Sequence, residues 1–340
     1  MTVETPLDLT RAAILSFRRR AGALDERLPR GRRSLRRAAW AGLQDSMPRA
    51  ALLSIHARVE DTEPTSWEDP SLVQIWGPRY SAYVVAARDL AVFTLGRLPE
   101  EGAARQYAQD LAVSLAAALG GEPMGYGRAG SILGGHPNRL RYAAPTGTVL
   151  IRWDGARQPV IRSVAAPNAD PHDARLELAR RFIHIFGPAT PDSFRTWAGI
   201  RAGPASAAFK ALRRSLTKVR TPIGEAWILT SDEPAIRAAP GPAARVRLLP
   251  SGDAYFLLQG ADRELLVPDA DRRAALWTPR VWPGALLVDG EIVGTWRRSE
   301  NKITIQTWIN ISPVVREAVE GEAASLPLPG PKQTVVRWDV

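Results

Sequence analysis

Between His172 and Thr230 the succession of hydrophobic patterns leaves few folds open. From His172 to Phe186 apolar residues recur three or four apart, as on an amphipathic helix, and Gly187-Pro188 stops the pattern. Thr190 is a good N-cap with Pro191 at the first helical position, so a short second helix is expected through Phe194, Trp197 and Ala198 to Gly199. A third is expected from Gly203-Pro204 to about Leu216, with Lys210, Arg213 and Arg214 on one face and Ala208, Ala211 and Leu212 on the other. Two β-prone segments, 217–221 and 225–230, then flank Pro222-Ile223-Gly224. Three helices, the last basic, followed by a hairpin is the order of a winged helix, whose third helix enters the major groove while the hairpin touches the neighbouring backbone. Winged helices also serve protein contacts, but Lys210, Arg213, Arg214, Lys218 and Arg220 in one unit favour nucleic acid.

The order recurs. Residues 101–119 read as a helix and 138–144 as a short one, after which segments 146–153 and 157–163 flank Asp154-Gly155, a two-residue hairpin signal. Upstream, helices are expected near 8–20, 33–44 and 48–59, with a strand pair around Val73 to Val85. The last third reads as strands at 245–249, 254–258, 285–288, 291–297 and 303–308, with Asp289-Gly290 as another hairpin turn. The expected architecture is therefore α+β: tandem winged-helix units at 1–100, 101–168 and 169–236, a mostly antiparallel β unit at 240–330, and a C-terminal tail at 331–340.

Charge is distributed in a way that matters more than its total of +10. Residues 1–40 carry +6, 121–162 carry +4 and 172–230 carry +6, while 41–120 sum to −4 and 240–330 to −1. Separate basic stretches can converge on one face and follow a phosphate backbone, or can be unrelated solvated helix faces. The winged-helix order favours the first, making double-stranded DNA the expected partner. Its candidate contacts are Arg32, Arg33, Arg36, Arg37, Arg79, Arg139 and Arg141, with Lys210, Arg213, Arg214, Lys218 and Arg220. The absence of cysteine excludes disulfides, thiolate zinc sites and a cysteine nucleophile. With no long apolar run and no signal-like N-terminus, the chain is expected to be cytoplasmic, bacterial and associated with the nucleoid when bound to DNA.

Other chemistries find little support. His56, His136, His172 and His184 lie too far apart for a helical zinc site, and neither a phosphate-binding loop nor a Gly-x-Ser-x-Gly elbow is present. Gly125-Tyr126-Gly127-Arg128-Ala129-Gly130 has glycines at dinucleotide-binding spacing, but it follows a predicted helix and Pro123, so it reads as a flexible connection. Trp40 and Trp76 could stack on a base, although large aromatics usually belong to cores. Neither a metal nor a cofactor is expected.

One run remains: Gly42-Leu43-Gln44-Asp45-Ser46-Met47-Pro48, where an amide, a carboxylate and a hydroxyl follow an arginine-rich segment. Gln44 could hold a water, with Asp45 orienting or activating it if a helix turns the carboxylate inward. Alternatively Asp45 is a solvated surface residue beside the Ser46 hydroxyl, or Gln44 and Asp45 only cap and link helices.

With the blocks Gly42-Leu43-Gln44, Pro78-Arg79-Tyr80-Ser81-Ala82-Tyr83-Val84-Val85, Phe186-Gly187-Pro188-Ala189-Thr190-Pro191, Leu248-Leu249-Pro250 with Asp253-Ala254-Tyr255, and Val288-Asp289-Gly290 with Gly294-Thr295-Trp296-Arg297, the chain resembles the AlkZ/YcaQ family of winged-helix DNA glycosylases. The resemblance implies tandem winged helices around a basic concave DNA-binding surface, and hydrolysis of the bond between deoxyribose and an alkylated purine. It also implies a signature of Gln, an apolar residue, then Gln or Asp. Here Gln44 matches, Asp45 takes the apolar place and Ser46 the second polar one, while Tyr83 replaces a family histidine. A base alkylated on a ring nitrogen is already a cationic leaving group, so the resemblance implies a monofunctional glycosylase acting on alkylated duplex DNA, with Gln44, Asp45 and Ser46 as catalytic candidates. The alternative is a non-catalytic winged-helix DNA-binding or regulatory protein; either is expected to be a monomer.

Overall fold

The computed structural model describes residues 7–155, 157–328 and 334–339. The first stretch runs β1 (Leu7–Asp8), α1 (Arg11–Ala21), α2 (Arg32–Ala38), β2 (Leu43–Gln44), α3 (Ala50–His56), β3 (Leu72–Trp76), β4 (Ala82–Ala86) and the short α4 (Leu90–Phe93). A second comprises α5 (Ala103–Leu119), β5 (Met124–Gly125), α6 (Tyr126–Ile132), a 3-10 segment at Pro137–Thr146, β6 (Val149–Arg152) and β7 (Val160–Ser163). In the third, α7 (Pro171–Phe186), α8 (Pro191–Ala198) and α9 (Ala202–Ala211) precede β8 (Leu216–Thr221), β9 (Gly224–Leu229) and α10 (Glu233–Arg237). The last contains β10 (Val246–Leu249), α11 (Asp262–Leu266), α12 (Ala270–Leu276), β11 (Gly284–Val288), β12 (Glu291–Ser299), β13 (Lys302–Thr307), α13 (Pro313–Ala324) and β14 (Val335–Asp339). It is a mixed α+β protein, and among the described residues no helix is long and apolar enough to cross a membrane.

The first three stretches repeat one sheet plan. Strand orders β2-β4-β3 and β5-β7-β6 both put a two-residue strand beside the second arm of a hairpin. The third has its counterpart in a single bridge, Ala189 to Trp227 on β9, and carries β1 parallel to the outer side of β8. The terminal unit orders its sheet β10-β11-β12-β13-β14, antiparallel except for the last pair. Val335–Asp339 is thus an edge strand of that sheet instead of a separate tail.

Three further sequence expectations need correction here, each for a local reason. Ala254 to Leu258 is no strand, because the Asp253 carboxylate accepts the Tyr255 N–H at 2.9 Å and its carbonyl accepts the Phe256 N–H at 3.1 Å, which folds the chain into a turn. The hairpin at Asp154-Gly155 is wider than two residues. Gln74 takes both the Trp153 N–H, at 2.6 Å, and the Trp153 carbonyl, at 3.1 Å, so the strands leave the ladder after Arg152 and rejoin at Val160. Finally, the glycine-spaced run 125–130 is an ordered junction, with Gly125 ending β5 and the rest inside α6, in an antiparallel sheet with no βαβ unit. By contrast, Asp289 and Gly290, both at positive φ (46° and 85°), make the tight β11–β12 turn their sequence predicts.

One central core draws on all four stretches: Leu15, Ile75, Tyr83, Leu150, Phe182, Trp197, Phe256 and Leu287 belong to it. Burial of such side chains stabilises by roughly 1.5–3 kcal/mol each. Arg18 is 2% exposed and donates to the Phe186 and Gly187 carbonyls at 2.7 and 2.9 Å, satisfying the C-terminal end of α7. The first stretch is thereby tied to the third, and the seam between them runs past Gln44.

Candidate active site

The expected helix over 33–44 ends at Ala38, and Leu43–Gln44 is a strand. Gln44 pairs with Tyr83 on β4, and the Asp45 N–H extends the ladder by donating to the Ala82 carbonyl at 2.7 Å. An extended backbone sends successive side chains to opposite faces. Leu43 and Asp45 therefore face the core of the first stretch, whereas Gln44 faces the seam; Ser46 lies in the bend that follows the strand.

On the seam side, Gln44 Oε1 accepts from Arg79 at 3.0 Å and from the Tyr83 hydroxyl at 3.4 Å. Arginine can only donate, which settles which end of the amide faces it. The amide nitrogen has no hydrogen-bond partner among the described residues. Arg79 also donates to the Trp197 carbonyl at 3.0 Å, near the end of α8, so one guanidinium spans the seam. Arg79 and Tyr80 both have left-handed backbones, with φ of 53° and 57°. Holding two such residues costs about 1–3 kcal/mol each, which the seam contacts must offset. Behind them Arg97 is buried, donates to the Ala198 and Trp76 carbonyls, and lies 5.0 Å from the Tyr80 ring centroid. Burial lowers its pKa to about 10. Burial also raises the Tyr83 phenol, so it stays protonated and able to donate.

Two glycines leave room for this arrangement. Gly252, at φ +77°, lies so close that a Cβ there would stand 3.0 Å from Gln44 Nε2. Gly42, at φ +76°, would put a Cβ 2.9 Å from Phe93 and 3.0 Å from Tyr83. The loop carrying Gly252 is anchored one residue on: Asp253, 1% exposed, receives Arg58 at 2.7 and 2.8 Å and the Ser54 hydroxyl at 2.7 Å. Arg58 holds the Asp253 carboxyl below the usual carboxylate range despite its burial.

On the opposite face, Asp45 is 4% exposed and meets only neutral partners directly. One oxygen accepts the Ala51 N–H at 2.9 Å, near the start of α3, and the other accepts from Gln74 at 2.6 Å. Burial lifts its carboxyl to about 7, against the lowering pull of those two hydrogen bonds and of Arg49 and Arg152. Through Gln74 the carboxylate is linked to Trp153 of the second stretch.

Ser46 lines a cleft of about 740 Å³ between the first and second stretches. The other expected contacts are dispersed. Arg141 lines that cleft, and Arg139 donates to the Tyr107 hydroxyl on the surface nearby. Arg32 pairs with Asp69, Lys218 with Glu225 and Arg220 with Asp8. Arg37 donates to the Ala21 carbonyl, Arg36 is half-buried, and Arg33 is exposed. Arg213 lies over Trp227 at 4.1 Å, while Lys210 and Arg214 are exposed with no ion-pair partner among the described residues. Sequence reasoning missed Gln74, Gly252 and the flanking cations Arg157, Arg297 and Arg298, which line the clefts on either side of the motif. Only the Arg297-Arg298 doublet at the end of a predicted strand offered a signal. Trp76 is core, as expected, at 2% exposed, whereas Trp40 is half-buried beneath Arg37 and Arg181.

The chain belongs to the family described as DNA glycosylase AlkZ-like, whose model matches residues 37–327 and so includes Gln44, Asp45, Arg79 and Tyr83. A curated relative, the interstrand DNA cross-link repair glycosylase of Streptomyces sahachiroi, is 28% identical over 162 residues, which are 46% of this chain and 42% of the relative. The matched stretch thus spans less than half of that protein. The solved structure of Streptomyces sahachiroi DNA glycosylase AlkZ shares the fold, with a TM-score of 0.78 over 98% of this chain and all (100%) of that one at 18% identity.

Proposed function

We propose that this chain is a monofunctional DNA glycosylase that hydrolyses the N-glycosidic bond of N-alkylated purines in duplex DNA, using Gln44 to position the attacking water. The observation that carries this reading is the Gln44 amide, clamped at its oxygen by Arg79 and Tyr83, with its nitrogen beside Gly252 and unpartnered among the described residues. A clamped amide offers N–H donors in a fixed direction without reorganisation. Asp45 acts as a positioning residue, since both its oxygens are engaged behind the strand. Asp253 is likewise engaged, by Arg58 and Ser54. Neither carboxylate is placed to deprotonate water strongly, which restricts the chemistry to bases that leave readily. A purine made cationic by alkylation on a ring nitrogen is such a base.

The three repeated helix–hairpin stretches are read as winged helices, the third presenting Lys210 and Arg214 to the duplex. The test is a duplex carrying one N7-methylguanine. Wild-type protein is expected to release the free base and leave an alkali-labile site, and Gln44→Ala to slow release by about 10²-fold or more with duplex affinity intact. Salt-sensitive duplex binding without release from any alkylated duplex would support the second reading, a non-catalytic DNA-binding protein, which the engagement of both carboxylates favours.

A further inference from the structure

The β6–β7 hairpin of the second stretch is docked on the Gln44 segment at two points. Gln74, on β3, meets the Trp153 backbone as a strand partner would, accepting its N–H through Oε1 at 2.6 Å and donating to its carbonyl through Nε2 at 3.1 Å. Nε2 also donates to Asp45 Oδ2 at 2.6 Å, directly behind the strand that carries Gln44. Two residues along the hairpin, Gly155 at φ +83° packs against the loop that follows the motif, so closely that a Cβ there would stand 2.7 Å from Pro48 Cα. The hairpin thus bears on Asp45 and on Pro48 together. In a winged helix this element touches the DNA backbone, and Arg157 is exposed on the same turn.

The orientation of one amide decides whether the hairpin stays docked. Asp45 is hydrogen-bonded only to donors, the Ala51 N–H at Oδ1 and Gln74 at Oδ2, so its ionised form satisfies both. A proton on the carboxyl needs an acceptor. The Ala51 N–H is fixed in the backbone, so of these two partners only Gln74 can turn an oxygen toward it. A reversed amide sets Nε2 against the Trp153 N–H and Oε1 against the Trp153 carbonyl, donor facing donor and acceptor facing acceptor, and both bonds to the hairpin are lost. Arg49 before α3 and Arg152 on β6 favour the ionised carboxylate from a distance, and Arg152 is itself paired with Glu68. Burial opposes them and brings the carboxyl to about 7, so neutral solution holds both states.

We propose that Gln74 is a positioning residue that couples the DNA-contacting hairpin of the second stretch to the Gln44 strand, and that it does so only while Asp45 carries its charge. The inference rests on the glycosylase reading for what Gln44 does, but the docking is measured without base release. The measurement is hydrogen exchange of the Trp153 backbone amide in the whole protein, followed by NMR as protection relative to an unstructured chain, one pH unit on either side of 7. Wild type protects Trp153 about tenfold better on the alkaline side, the worth of one such hydrogen bond, while Leu150 inside the β6–β7 ladder is unchanged. Asp45→Asn holds the protonated pattern at every pH, because the Ala51 N–H claims its Oδ1 and leaves Nδ2 to face Gln74; Trp153 is then weakly protected on both sides. Single-turnover release of N7-methylguanine rises through the same interval in wild type and is about tenfold slower and flat in Asp45→Asn. Gln44→Ala is slow as well, yet keeps the Trp153 switch. Trp153 protection that is equal on both sides of 7, or that follows wild type in Asp45→Asn, overturns the proposal. Base release identical in wild type and Asp45→Asn overturns the coupling and leaves the glycosylase; a Trp153 switch in a protein that releases no base supports the docking and sinks the glycosylase reading instead.

Discussion

Asp45 and Asp253 brace Gln44 from opposite sides, one through its own strand and the other through the loop that places Gly252. Both are almost completely shielded from solvent, at 4% and 1% exposure. Asp253 is met by a bidentate guanidinium and titrates low, whereas Asp45 is met by a backbone N–H and a side-chain amide and is lifted to about 7. Burial opposes charge at both, so the difference lies in the partner. A cation at hydrogen-bonding distance outweighs the loss of hydration. Two neutral donors do not. The two halves of the support therefore respond differently to mutation and to pH.

The largest effect is expected from removing the cation. Arg58→Met strands a buried carboxylate and should cost about 3–5 kcal/mol in urea denaturation at neutral pH, while Gln74→Leu, which removes a neutral partner, should cost about 1–3 kcal/mol. Equal losses would break the distinction. A smaller effect separates the two by pH. Because the Asp45 pKa is raised on folding, its contribution is complete below the ordinary carboxylate range and is lost as pH rises toward about 7. Asp253, whose pKa is lowered, contributes above that range and loses its contribution only in more acid solution. Stability of the Asp45→Asn variant should accordingly be flatter than wild type between about pH 4 and 7, the interval between the ordinary carboxylate value and the raised one. An unchanged slope would place the titration elsewhere. The smallest effect on folding is expected from exposed charges with no ion-pair partner among the described residues. Lys210→Gln with Arg214→Gln should alter stability by no more than about 0.5 kcal/mol, yet reduce the salt dependence of duplex affinity by about two counterions.

Much of this architecture was legible because local signals agreed. Pro191 after Thr190, Asp289-Gly290 and the apolar spacing of Pro171–Phe186 each dictate one backbone, and the structure adopts it. What escaped was decided by distant partners. Leu43–Gln44 carries no strand signal of its own; pairing with Tyr83 and Val84, some forty residues on, makes it extended. That pairing also reverses the reading of the motif, since a strand sends Asp45 to the face opposite Gln44. Gln74 could not be singled out by spacing, because its role depends on a backbone group at Trp153. Gly252 was hidden for the same reason, its significance being the side chain it lets approach.

The tie between β1, α1 and the third stretch bears on the order in which the chain takes shape. Leu7 and Asp8 lie alongside Val219 and Arg220. Arg18 needs the Phe186 and Gly187 carbonyls, and Arg11 reaches Leu265, Leu266 and Glu291. During synthesis from the N-terminus these partners emerge long after the helix that needs them, and contacts so remote in sequence are slow to form. The first helix made is thus among the last to be secured, and until then Arg18 must wait in water for the carbonyls that will take it out.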